Sequence, residues 1–180
     1  MVEPDYPEMN ESIDNISLYV AGGYNFAVET PRGSQTQNAR DAETGVLRAK
    51  KLLAVGFAFP FSFGFLGSTQ ADEGDPLKVL LPTDADLAIG SLLRCRVLGG
   101  TATQKSSVGP AKRNNRLMAV PLLLHQDDPP YEFVDMPPDK VNDVEDFFVA
   151  CQAAVGKAAK IVGHLDKSEA QSIVREAVRP

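Results

Sequence analysis

The sequence predicts an α+β fold, a small antiparallel β-barrel or sheet with two C-terminal helices packed against it. Three observations carry this expectation. Short apolar runs separated by Gly- and Pro-containing turns fill the chain as far as Leu124. Beyond Pro137-Pro138 the apolar spacing changes from two to three and four, the mark of an amphipathic helix. Strands first and helices last is the order of an α+β chain, and 180 residues suffice for one domain with a sizeable core.

Taken in order, residues 1–15 have no usable period and read as an acidic N-terminal arm, and residues 16–180 read as a single domain. Ser17–Ala21 and Asn25–Glu29 are strand-like runs around Gly22-Gly23, a hairpin signal. Pro31–Ser34 is a turn, and Asp41–Gly45 is another that opens a run to Ala54. Five of the nine phenylalanines, Phe57, Phe59, Phe61, Phe63 and Phe65, then follow at a strict spacing of two. That period places all five rings on one face of an extended segment, either as a core face or as an apolar wall beside a pocket. Gly67–Pro76 is a polar loop, while Lys78–Leu81, Ser91–Leu98 and Leu117–Leu124 are strand candidates. Between the last two, Thr101–Asn115 reads as a Gly/Ser/Lys-rich loop. From Val141 the apolar positions 144, 148, 151, 155, 158, 159 and 162 predict one long helix, started by Pro137-Pro138-Asp139 and stopped by Gly163. Asp166 is expected to cap a second helix whose Ala170, Ile173, Val174 and Ala177 face inward.

Charge is unevenly spread. The net of −6 is built from an N-terminal stretch, 1–31, with six acids and no Lys or Arg, a basic centre, 32–116, with 12 basic and 7 acidic residues, and an acidic remainder. The acidic balance argues against general binding to nucleic acid or to an anionic membrane, and the basic centre suits a small anionic ligand. Two cysteines, Cys95 and Cys151, form no disulfide framework, and without support from His125 or His164 they form no zinc site. The first residues lack the basic and apolar regions of a secretory signal. The apolar stretch from Val55 to Gly67 is too short and too interrupted to span a bilayer. The expected setting is soluble and cytoplasmic.

The most specific local signal is Glu73-Gly74-Asp75-Pro76, directly ahead of Lys78–Leu81. Two carboxylates around a glycine at a loop-to-strand junction suit a hard cation such as Mg²⁺, which takes oxygen ligands. The same residues also suit a plain Asx-type turn. Before this segment stands Glu29-Thr30-Pro31-Arg32-Gly33-Ser34, and after it come Arg94-Cys95-Arg96, Ala119-Val120-Pro121 and Asp146-Phe147-Phe148.

In this order and near these spacings, from about Leu18 to Ala159, the chain resembles the soluble (family I) inorganic pyrophosphatases. The resemblance implies an OB-like barrel and an enzyme that binds several Mg²⁺ ions through aspartates, activates a water between them, and holds pyrophosphate with Lys, Arg and Tyr. Bridging metals lower the pKa of that water and brace the attacking and leaving oxygens. Carried over position by position, Glu29 keeps the family's acid before the Pro turn. Gln37 stands in place of a phosphate-binding Lys, Ala39 in place of a Glu, and Lys51 in place of a phosphate-binding Arg. Phe59 and Phe63 stand where Tyr is usual. In the metal loop Glu73 replaces Asp, Asp75 is retained, and Lys78 stands in place of the third Asp. Gly109 and Asn114 align with two further aspartates, Arg116 with a Lys, and Cys151 and Gln152 with a Tyr-Lys pair.

The resemblance therefore implies a residual metal set of Asp75, Glu73 and Glu29, with Lys51 and Arg116 as phosphate-binding candidates. General acid–base help alone is worth about 10²–10⁴-fold in rate, and here most metal-binding aspartates are replaced as well. The expectation is a degenerate site that hydrolyses diphosphate poorly or not at all, with Mg²⁺ binding weak or absent. Lys78 is expected to fill part of the metal site with a salt bridge, or else to be a solvated strand-edge charge. The cluster Lys105, Lys112, Arg113 and Arg116 is either a solvated loop or an anion contact. The rival reading is an active Mg²⁺-dependent diphosphatase with a reduced metal set around Glu73 and Asp75; an altered phosphoanhydride or phosphate-ester hydrolase is a third. Expected partners are a small anion such as pyrophosphate or phosphate, and a second copy or a related subunit, with no nucleic acid and no membrane.

Overall fold

A computed structural model describes residues 16–41, 44–71, 74–106, 112–123 and 129–179, with backbone only at 105, 106, 112 and 113. The expected acidic arm, 1–15, lies outside the described residues. The strands are β1 (Tyr19–Val20), β2 (Gly23–Thr30), β3 (Thr36–Arg40), β4 (Leu47–Leu52), β5 (Ser62–Leu66), β6 (Lys78–Leu81), β7 (Leu92–Ser106), β8 (Lys112–Pro121) and β9 (Ala158–Leu165). The helices are α1 (Pro138–Ala153) and α2 (Lys167–Glu176). Strand order in the main sheet is β1-β2-β5-β6-β8-β7-β9, and β2 pairs with β7 as well. That extra pairing closes β2, β5, β6, β8 and β7 into a ring. Its ladders are antiparallel apart from β6–β8, which is parallel. The parallel ladder arises because β8 reaches β6 only after β7 has crossed between them in sequence.

Side-chain alternation splits the core into two clusters on opposite faces of the strands. Phe26, Val28, Leu66, Val79, Leu81, Val97, Leu117 and Ala119 come from all five ring strands and meet Ala170 and Val174 of α2. Phe61, Phe63, Leu80, Leu98, Met118 and Val120 come from the alternate positions and meet Val144 and Phe147 of α1. Gly64 lets β5 lie against β2, since a Cβ there would stand 1.9 Å from the carbonyl oxygen of Ala27.

Three expectations are corrected. First, Thr101–Asn115 is mostly strand, because β7 continues to Ser106 and β8 begins at Lys112, with pairs running from Thr101–Arg116 to Lys105–Lys112. β-Branched Thr101 and Thr103 fit a pleated ladder, and both are buried. Second, the helix expected to reach Val162 ends at Ala153. Gly156 takes a positive φ of 70° that stops it, and the following residues alternate between exposed and covered as β9. Third, the phenylalanine stripe is strand only from Ser62 onward. Pro60 lacks a ladder donor, and Phe59 instead trades backbone bonds with the Pro31–Ser34 turn. Phe57, Phe59, Phe61 and Phe63 still join one cluster, whereas Phe65 is buried beneath Lys78. A strand for which the sequence offers no signal, β3, lacks apolar alternation and forms because β4 pairs with it.

The second helix is as expected. Asp166 accepts from the backbone N–H of Glu169 at 2.8 Å, and Glu169 reaches back to the N–H of Asp166 at 2.9 Å. This reciprocal box satisfies two otherwise orphaned donors. Asp166→Ala is expected to lower unfolding stability by about 1 kcal/mol in urea titrations; an unchanged midpoint would contradict the capping role.

Candidate functional site

Glu29 anchors the site. It lies on β2 beside the register shift between Val28 and Thr30, and it is a charged residue only 1% exposed. Such a carboxylate needs partners, and among the described residues it has two. Its Oε1 accepts from the backbone N–H of Arg40 at 2.9 Å. Its Oε2 accepts from Nζ of Lys78 at 2.6 Å. Lys78 opens β6 opposite Phe65, and its ammonium stands 5.3 Å from that ring's centroid. Lys78 thus makes a salt bridge, as one of the two sequence expectations had it, and its partner is Glu29 across β5. Asp75 is exposed in the turn after Gly74, and its backbone oxygen accepts from Ala71. Glu73 and Gly109 lie outside the described residues.

The β3–β4 hairpin sets Gln37 directly opposite Lys51, and Ala39 opposite Arg48. The hairpin's turn holds as expected, with Asp41 accepting from the backbone and hydroxyl of Thr44. Phe59 and Phe63 are buried in the α1-side core, each 6% exposed. On β8, Asn114 faces Thr103, whose hydroxyl donates to the Asn114 carbonyl at 2.9 Å. Of the basic cluster expected in a loop, Lys105, Lys112 and Arg113 are ladder positions, and Arg116 lies further along the same strand. The Arg116 guanidinium stacks on Phe148 of α1, 4.3 Å from the ring centroid, and burial holds its pKa below the usual arginine value. Cys151 lies one turn beyond Phe148 on α1, half-buried, with Gln152 beside it. Burial pushes the Cys151 thiol up, opposed by the charge of Lys51. The other thiol, Cys95, is pushed up to about 12 by complete burial and is a core residue.

Two associations between side chains carry no marker in the sequence. Arg116, Thr101 and His164 form one cross-strand row over β8, β7 and β9. Glu145 of α1 accepts from the Thr101 hydroxyl at 3.0 Å and bonds Nε2 of His164 at 2.8 Å. At the other end, Arg32 of the Pro turn and Lys140 of α1 both pair with Asp84, and the Lys140 bond holds the Asp84 carboxyl below its usual range. A groove of about 730 Å³ lined by Phe133, Val141, His164 and Lys167 contains none of the site residues predicted from the sequence.

Magnesium takes an all-oxygen shell. At the metal positions implied by the resemblance, Glu29 is occupied by Lys78 and Arg40, and Asp75 faces solvent. Among the described residues no three His, Cys, Asp or Glu side chains gather into a metal-holding group. Among the described residues, Glu29 and Asp75 are therefore not gathered into such a shell.

A family model described as inorganic pyrophosphatase matches residues 26–180. An inorganic pyrophosphatase of Sulfolobus acidocaldarius is 30% identical over 160 residues, 86% of this chain and 89% of that protein. A soluble inorganic pyrophosphatase 2 of Chlamydomonas reinhardtii is 27% identical over 84% of this chain and 77% of its own length. The crystal structure of the inorganic pyrophosphatase from Thermus thermophilus superposes with a TM-score of 0.78 at 23% identity, over 93% of this chain and 97% of that one, a likeness of fold. In the described part of the chain no helix is long and apolar enough to cross a membrane.

Proposed function

The chain belongs to the inorganic pyrophosphatase family, and from that premise we propose a degenerate member, one that hydrolyses diphosphate poorly or not at all and acts through anion binding or assembly with other subunits. One observation carries the reading: the ammonium of Lys78 sits 2.6 Å from the buried carboxylate of Glu29. Two unit charges 4 Å apart near a protein surface interact by about 4 kcal/mol, and a divalent ion doubles that. A Mg²⁺ brought near Glu29 would have to displace Lys78 or bear its repulsion. Gln37, Ala39, Phe59, Phe63, Asn114, Cys151 and Gln152 support the same reading, since none supplies the cation, carboxylate or hydroxyl that the family pattern has there. The ligand in this reading is a small anion such as phosphate or pyrophosphate, and the partner is a second copy or a related subunit. Residues 16–180 act as one domain.

The decisive measurement is phosphate release from pyrophosphate with Mg²⁺ or Mn²⁺, for the wild type and for Asp75→Ala. The expected result is a low rate that Asp75→Ala leaves unchanged, and a gain in Lys78→Asp. Robust wild-type turnover abolished by Asp75→Ala would establish the rival reading, an active diphosphatase working with a reduced metal set around Glu73 and Asp75. Its support is the exposure of Asp75, which leaves that carboxylate open to a metal arriving on the substrate.

A further inference from the structure

The groove of about 730 Å³ opens between the Phe133–Asp135 turn, the start of α1, the end of β9 and the start of α2. Its apolar wall is Phe133, Met136, Val141 and Leu165. The ring of His164 lies against Phe133, the centroids 5.5 Å apart. Nε2 of that ring bonds Oε1 of Glu145, the same oxygen that accepts from the Thr101 hydroxyl. A carboxylate only accepts, so Nε2 carries the hydrogen and Nδ1 of the neutral ring is left as an acceptor. Among the described residues nothing bonds Nδ1. Asp166 stands two residues beyond His164 on extended backbone, which puts both side chains on one face, and Glu169 is tied to Asp166 by the capping box. Each of these two carboxylates accepts a backbone N–H, and among the described residues neither has a side-chain cation. The α2 dipole offsets only about half a charge there. Lys167, the cation on the groove wall, is already matched by Glu132 at 3.0 Å, by the Tyr131 carbonyl at 2.9 Å and by the Tyr131 ring at 3.7 Å. One side of the groove is therefore negative and rich in acceptors, and the rest is apolar.

We propose that this groove binds a small organic ammonium ion, an apolar or aromatic body carrying one protonated amine. The body packs on Phe133, Val141 and Leu165, and the ammonium faces the side formed by His164, Asp166 and Glu169. A protonated amine has donors and no acceptor, the complement of a bare imidazole nitrogen and two carboxylates. A hydrated metal ion gains nothing from the apolar wall, so the charge has to ride on an apolar body. The size also selects the occupant. A pocket of about 300–1,000 Å³ takes a drug-sized molecule. Twelve of the described residues line this one, about half of what a stable protein interface uses on one side. The groove shares no residue with the Glu29–Lys78 site, so the inference stands apart from the reading of that site as degenerate.

Isothermal titration of the full chain at neutral pH with three probes of one shape tests this: 2-phenylethylammonium, neutral 2-phenylethanol and anionic 3-phenylpropanoate. The ammonium is expected to bind with a Kd of about 0.1–1 mM, the alcohol at least about tenfold more weakly, and the carboxylate not at all. Combining Asp166→Asn with Glu169→Gln removes two charges and keeps the capping box. That variant is expected to melt close to the wild type, to bind the ammonium about tenfold more weakly and to leave the alcohol unchanged. Asn142→Lys, at an exposed helical position on the groove wall, adds a cation without touching the cap and is expected to weaken the ammonium alone. Val141→Trp fills the groove and is expected to abolish binding of both. Failure of the ammonium to bind, equal binding of ammonium and alcohol, or binding indifferent to both Asn142→Lys and Val141→Trp would overturn the proposal. Turnover of pyrophosphate, high or low, decides the reading of the Glu29–Lys78 site and leaves this result untouched.

Discussion

Phe61→Ala is expected to destabilise the protein by about 3–5 kcal/mol, the range for deleting a fully buried phenylalanine from a core. Phe61 is 0% exposed. Its ring meets Phe147 edge-on at 5.4 Å and Phe148 at 5.7 Å, with Phe59 at 5.8 Å. These three neighbours come from α1 and from the segment ahead of β5, so no single shift of α1 can fill the space. Urea unfolding measures the effect, and a loss below about 1 kcal/mol would mean that α1 collapses into the cavity. The consequence reaches the site, because Phe148 carries the guanidinium of Arg116 on its face. Phe61→Leu keeps more of the volume and is expected to cost less.

Lys78→Met is expected to cost about 2–4 kcal/mol. Removing one member of a buried pair leaves an uncompensated charge, commonly worth about 3–5 kcal/mol. The figure is reduced here because the Lys78 side chain keeps 28% of its exposure and Arg40 still donates to Glu29. Adding Glu29→Gln to Lys78→Met removes the stranded charge and is expected to recover most of the loss. A double-mutant cycle by urea unfolding supplies the coupling. Additive losses would show that Lys78 stabilises through its aliphatic stem over Phe65 rather than through Glu29.

The fold was largely legible because its signals are local. The glycine pair after Ala21, the turns at Pro31 and Asp41, the apolar run at Lys78–Leu81 and the capping aspartate at 166 each act within a few residues, and all appear where expected. The failures arise where two periods coincide or where a partner decides. Ala158, Ala159 and Val162 fit a helical spacing as well as a strand, and Ala favours a helix; the ladder to β7 overrides that preference. Thr101–Ser106 is polar, which reads as loop, yet it pairs on both sides, with β8 and β9. At the site, motif order located Glu29, Lys51, Lys78 and Arg116. The bond from Lys78 to an acid 49 residues earlier is tertiary, and so is the stacking of Arg116 on Phe148. Neither pairing leaves a mark in the spacing of its own residues.

The ring of β2, β5, β6, β8 and β7 has a consequence for solubility under crowding. A closed ladder offers no unpaired backbone row to a neighbouring chain, which is the usual route to edge-to-edge aggregation. Among the described residues the main sheet ends at β1, only two residues long, and at β9, whose pairing slips at one position and which carries Lys160. The separate hairpin has exposed Arg48, Lys50 and Lys51 along β4. Short length, irregular pairing and lysine are devices that discourage another strand from docking. The cations of β4 therefore act as gatekeepers of a strand that would otherwise be sticky.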